Sequence, residues 1–72
     1  MRFTGTVSSF NLRGFGFILP DGERTAIFVH VSGICGNTML RTGERVDFTI
    51  IDTDKGQRAV DVQLLAPEEG AL

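Results

Sequence analysis

No stretch of this chain keeps a helical apolar period for three turns. Instead, short runs rich in β-branched and aromatic residues alternate with clusters of Gly, Pro, Asn and Asp. The first run is Phe3 to Phe10, and Asn11-Leu12-Arg13-Gly14 reads as a tight turn. The second is Phe15 to Leu19, closed by Pro20-Asp21-Gly22. The third is Ala26 to Val31. A longer loop from Ser32 to Gly43 follows, with Gly33, Gly36 and Asn37 inside it. The fourth run is Arg45 to Asp52, ended by the turn Asp52 to Gly56. The fifth is Arg58 to Leu65, and Pro67-Glu68-Glu69-Gly70 reads as a frayed acidic end. A chain of 72 residues suffices for one small domain with a limited core. Five short strands in that length predict an all-β fold. The expected form is a five-stranded antiparallel Greek-key barrel of the OB type, since closure removes exposed strand edges.

Alternation assigns the faces, because neighbours in a strand point to opposite sides. Ile27, Val29 and Val31 share one face of the third run, and Phe28 and His30 the other. Gly16 and Ile18 oppose Phe15 and Phe17 in the second run. In the fourth run Val46, Phe48 and Ile50 face in, and Asp47 and Thr49 face out. The predicted core is these aliphatic sets with Phe48, joined by Val7, Ile34, Val60 and Val62. Three phenylalanines and a histidine then point outward on adjacent strands.

The net charge of −2 matters less than its distribution. Residues 1 to 43 carry four arginines against Asp21 and Glu23, which is +2, whereas residues 44 to 72 carry three cations against seven acids, which is −4. The basic excess therefore shares a half with the aromatic runs. One cysteine, Cys35, excludes an internal disulfide, and with a single histidine it builds no zinc site. Scattered acids supply no nucleophile–base pair. The chain is therefore read as no enzyme, with no cofactor and no metal. No secretion signal and no apolar run of membrane-spanning length is read, which predicts a cytoplasmic protein without a membrane partner. Cys35 sits in a glycine-bearing loop and is either an exposed thiol able to cross-link two chains or an ordinary small loop residue.

Burying a phenylalanine is worth roughly 1.5–3 kcal/mol, so an exposed aromatic patch asks for a partner. Bases of single-stranded nucleic acid stack on such rings for about 1–3 kcal/mol each. On this reading Gly14 and Gly16 let a base or backbone approach closely, Arg13 meets a phosphate or stacks on a base, and His30 adds a ring with a polar edge. The alternative is that Phe15, Phe17 and Phe28 pack under a loop or against another subunit.

Arg13-Gly14-Phe15-Gly16-Phe17-Ile18 resembles the first ribonucleoprotein motif of cold-shock domains, and Ile27-Phe28-Val29-His30-Val31 resembles the second. Gly5-Thr6-Val7 before Phe10-Asn11, Ser32-Gly33-Ile34, and Lys55-Gly56-Gln57-Arg58-Ala59 follow the family in order and spacing. The resemblance runs from about Phe3 to Leu65. It implies a domain at residues 1–66 followed by an acidic tail at 67–72. It also implies binding of single-stranded RNA or DNA, with action as an RNA chaperone or antiterminator-like regulator. The site residues it implies are Phe10, Arg13, Phe15, Phe17, Phe28, His30 and Lys55. Phe10 would lie at the edge of the stacking platform, and Arg13 and Lys55 would meet the backbone. A monomer is expected, with a weak dimer as the second state.

The chain departs from the family pattern where Ser8 and Ser9 replace a lysine and a tryptophan, and where Val31 replaces an aromatic residue. Its first turn is about one residue short. The shorter loop from Cys35 to Leu40 holds no ring, with Met39 as a soft apolar substitute. Three missing rings at about 1–3 kcal/mol each predict binding about a hundredfold weaker or more, if contributions summed. The rival reading is a protein-interaction or self-associating barrel that has lost most nucleic-acid binding.

Overall fold

The computed structural model describes residues 2–65. It contains five strands: β1 (Phe3–Phe10), β2 (Phe15–Pro20), β3 (Ile27–His30), β4 (Arg45–Thr53) and β5 (Gly56–Leu64). Their ends lie within two residues of those read from the sequence. The acidic segment 67–72 lies outside the described residues. No helix among the described residues is long and apolar enough to cross a membrane.

The strands close into a barrel in the order β1-β2-β3-β5-β4. Four seams are antiparallel. The fifth joins β3 to β5 in parallel through two pairs, Phe28 with Arg58 and Val29 with Ala59. This short seam removes the last sheet edges and fixes which residue of β5 lies beside which residue of β3.

The interior is filled by Val7, Ile18, Ile27, Val29, Ile34, Leu40, Val46, Phe48, Ala59 and Val62. Phe48 is the largest fully buried side chain and stacks on Phe3 with ring centroids 6.2 Å apart. Removing its ring would cost about 3–5 kcal/mol. Alternation holds along β2, β3 and most of β4, where Ile50 is half-buried against the core.

Two inward assignments change. Val31 lies past the end of β3, in a 3-10 turn over Val31–Gly33, and packs half-buried against the core rather than inside it. Val60 is also only half-buried, and Ala59 takes the inward position. The cause is a β-bulge. Asp61 adopts a left-handed φ of 54°, and the span Val60 to Gln63 of β5 opposes the shorter span Asp47 to Thr49 of β4. The extra residue lets Ala59 and Val62, three apart, both face in. Leu40 joins the core from the loop between β3 and β4, where no strand period marks it.

Two polar clusters tie strands together at the surface. Arg2 donates to Asp47, to the Asp61 carboxylate at 2.6 Å and to the Asp61 carbonyl at 2.8 Å, so its guanidinium fills the bulge. Arg45 on β4 makes a two-pronged bond to Asp21 after β2, both contacts 2.7 Å, and donates to Thr6 of β1 at 2.9 Å. Thr4 of β1 also donates to Asp21. The Arg45 bonds, helped by the Thr4 hydroxyl, hold the Asp21 carboxyl well below the usual carboxylate range.

A carboxylate depressed in the folded state adds stability above its unfolded pKa and loses it as pH falls through the folded value. Asp21→Asn is therefore expected to lower the urea midpoint at pH 7, with the gap to wild type shrinking as pH drops below about 4. Both partners are half-exposed, so the gap should also narrow in high salt. A gap that stays constant or widens in acid would contradict this role.

Candidate nucleic-acid interface

The aromatic side chains gather on the outer face of β2 and β3. Register pairs Phe15 with His30 and Phe17 with Phe28. Phe28 sits at the centre. Its ring centroid is 6.1 Å from Phe15, inclined at 28°, and 6.1 Å from Phe17, inclined at 78°. Phe17 is 42% exposed, whereas Phe15 and Phe28 are half-buried, partly by one another. The patch thus exposes less apolar surface than three bare rings, yet stays on the outside of the barrel.

Following the pairs across the seams gives one lateral row on the outer face: Ser9 on β1, Phe17, Phe28, Arg58 on β5 and Ile51 on β4. Ser9, where the resemblance to cold-shock domains implies a tryptophan, lies directly beside Phe17. A bulge between Val7 and Ser9 sets that register. The missing ring is therefore a lateral neighbour of the platform, and its loss shortens the row at β1.

His30 is fixed by its own chain. Its Nδ1 accepts the Ser32 backbone N–H at 3.1 Å and lies 2.9 Å from the Ser32 hydroxyl. An Nδ1 that accepts a backbone N–H places the proton of the neutral ring on Nε2. Arg13 stands on a turn closed by Asn11, whose side-chain oxygen accepts the Arg13 N–H at 2.9 Å and whose carbonyl accepts the Gly14 N–H at 3.1 Å. The Gly14 carbonyl in turn accepts the Val31 N–H at 2.7 Å, which ties this turn to the end of β3. Lys55 is exposed at the tip of the β4–β5 hairpin, three residues before Arg58.

Phe10 and Gly16 belong to a different layer. Phe10 pairs with Gly16 and is half-buried against the core rather than in contact with another platform ring. A Cβ on Gly16 would lie 2.1 Å from the Ser9 carbonyl oxygen and 2.7 Å from the Phe10 Cα. Gly16 is buried, so it does not open space for a base, as the sequence suggested. It lets β1 close against β2. Gly14 has φ 94° and its Cβ would meet Val31 at 3.1 Å, so it too serves the turn and its packing.

Ion pairs divide the cations into two groups. Arg2 and Arg45 are consumed by Asp47, Asp61 and Asp21. Among the described residues Arg13, Arg24, Arg41, Lys55 and Arg58 form no ion pair. Arg58 is the neighbour of the rings that strand alternation alone did not bring out. Its guanidinium carbon lies 5.6 Å from the centre of the Phe28 ring. Only the parallel β3–β5 seam reveals that neighbourhood. Cys35 is exposed, and its thiol lies 3.2 Å from an Asp61 carboxylate oxygen, which raises the thiol pKa. That blunts its reactivity as a thiolate. No three metal-ligating side chains cluster among the described residues.

A closed five-stranded barrel with stacked rings on the outer face of two adjacent strands defines an oligonucleotide-binding type of barrel. The family profile described as 'Cold-shock' DNA-binding domain matches residues 3–65, and the chain belongs to this family of nucleic-acid-binding, non-enzymatic domains. It is 42% identical to the major cold shock protein of Micrococcus luteus, over 85% of this chain and 96% of that protein. It is 44% identical to the cold shock-like protein CspC of Escherichia coli K12, over 85% of this chain and 93% of that one. The fold matches a solved structure of drosophila Unr with a TM-score of 0.78 at 25% identity, covering 93% of this chain and 28% of that larger one.

The Gly16 geometry yields a direct test of how the platform is supported. Gly16→Ala is expected to cost at least ~2 kcal/mol in urea unfolding, because the backbone of β1 must move to admit the methyl group. An unchanged midpoint would show that β1 has slack there.

Proposed function

We propose that this domain binds single-stranded RNA or DNA by stacking bases on Phe15, Phe17, Phe28 and His30, acting as an RNA chaperone or cold-shock-type regulator. The observation that carries the reading is the contact geometry of Phe28 with Phe15 and Phe17 on an outward surface. Flat heterocycles fit that surface, and a folded core has no use for it. Phe10 borders the platform through its exposed part. Arg13 and Lys55 approach the strand's backbone from the two flanking turns. Sequence selectivity is low on this reading, since stacking accepts any base. Affinity is modest, because the row ends at Ser9 and the end of β3 carries Val31 in place of a ring. A monomer in a reducing cytoplasm suits the single, acid-shielded thiol. The names of the relatives as cold shock proteins support the same role for this chain.

The chain holds no Trp or Tyr, so the test follows the ligand: anisotropy of a fluorescein-labelled octathymidine titrated with protein at low and high salt. Wild type is expected to bind more tightly at low salt. Phe17→Ala or Phe28→Ala is expected to weaken binding about 5- to 100-fold, with circular dichroism unchanged. Absence of binding at low salt, with concentration-dependent self-association of the protein, would overturn the reading in favour of a protein-interaction barrel.

A further inference from the structure

The β3–β5 seam places Arg58 directly beside Phe28, and its guanidinium leans on that ring. Leaning on the ring face leaves the in-plane N–H donors unused, because a π-face attracts charge but does not replace five directed hydrogen bonds. Its Nε is buried and meets no acceptor among the described residues. No carboxylate there pairs with it either. Arg58 lines a shallow groove with Ser32, Gly33, Cys35, Val60 and Asp61. The acid in that groove is already committed, since Asp61 is held by Arg2 and by the Cys35 thiol. The cation is thus fixed in place, half-desolvated and short of an acceptor, at the edge of the ring row. Beyond it lies Ile51, 45% exposed, as an apolar continuation.

We propose that Arg58 is a strand-binding residue that grips a backbone phosphate next to the base stacked on Phe28. This rests on the stacking role given to the platform above. A phosphate offers the terminal amino groups of the fork two acceptor oxygens and a full charge, while the enclosed Nε only holds the side chain in place. The contact carries the binding track from β2 and β3 onto β5 and β4, on the side opposite the truncated end at Ser9. It also explains how a chain of net charge −2 holds a polyanion: its cation is focused at the rings.

The test compares the salt dependence of octathymidine binding for wild type, Arg58→Gln, Arg58→Lys, Arg41→Gln and Phe17→Ala, with urea midpoints as a folding check. Arg41 precedes β4, at the end of that strand away from Ile51, and serves as a charge control. Arg58→Gln is expected to weaken binding about tenfold at low salt and to flatten the slope of log K against log salt by about 0.7, one phosphate's share for a single strand. Arg58→Lys is expected to keep the slope, and Arg41→Gln to keep both slope and affinity. An unchanged slope for Arg58→Gln would make Arg58 a packing residue and overturn the proposal. So would a loss seen only with oligonucleotides that contain guanine, which would move the contact to a base edge. Full binding by Phe17→Ala would overturn the stacking reading while leaving the Arg58 slope to be judged alone. Absence of wild-type binding would overturn both.

Discussion

The close approach of β1 to β2 at Gly16 governs most of what this barrel can do. A methyl group there would run into the Ser9 carbonyl, so the strands meet only because the side chain is absent. With β1 seated, Ile18 turns inward beside Val7 and Val29, and Phe15 and Phe17 must turn outward. The same strand therefore fills the core and presents the rings. A one-residue slip would bury the rings and expose the aliphatics, which links stability to the binding face.

Electrostatics divides the surface in a consistent way. Near the bulge, Arg2 bridges Asp47 and Asp61. At the start of β4, Arg45 clamps Asp21 and gathers Thr4 and Thr6. These bonds tie β1, β4, β5 and the β2–β3 loop to one another and neutralise acids that would repel a polyanion. The arginine beside the rings has no acidic partner among the described residues. A negative total charge is thus compatible with a nucleic-acid face, because Coulomb attraction depends on the charges near the ligand more than on their sum.

Strand identity, the inner and outer faces of β2 and β3, and the outward placement of Phe15, Phe17 and Phe28 were legible in the sequence, since each rests on local alternation between clear turns. What escaped depends on non-local geometry. The left-handed residue Asp61 shifts the period of β5 by one, which exchanges Val60 for Ala59 in the core. Leu40 enters from a loop with no period. Val31 leaves the strand because His30 caps the following turn through Ser32. Arg58 reaches Phe28 across a parallel seam between strands far apart in the chain. The glycines illustrate a subtler limit. Gly14 and Gly16 flank Phe15 in the sequence, and in the fold a Cβ at either would run into the protein's own Val31 or β1 backbone.

Bases stacked on the outer rings leave the interior ring of Phe48 untouched. Aromatic carbon–proton NMR spectra of the phenylalanines, recorded while octathymidine is added, read this directly. The Phe15, Phe17 and Phe28 ring signals are expected to move with added strand and those of Phe3 and Phe48 to stay in place. Movement led by Phe3, or no movement at Phe17 under conditions where the oligonucleotide binds, would contradict it.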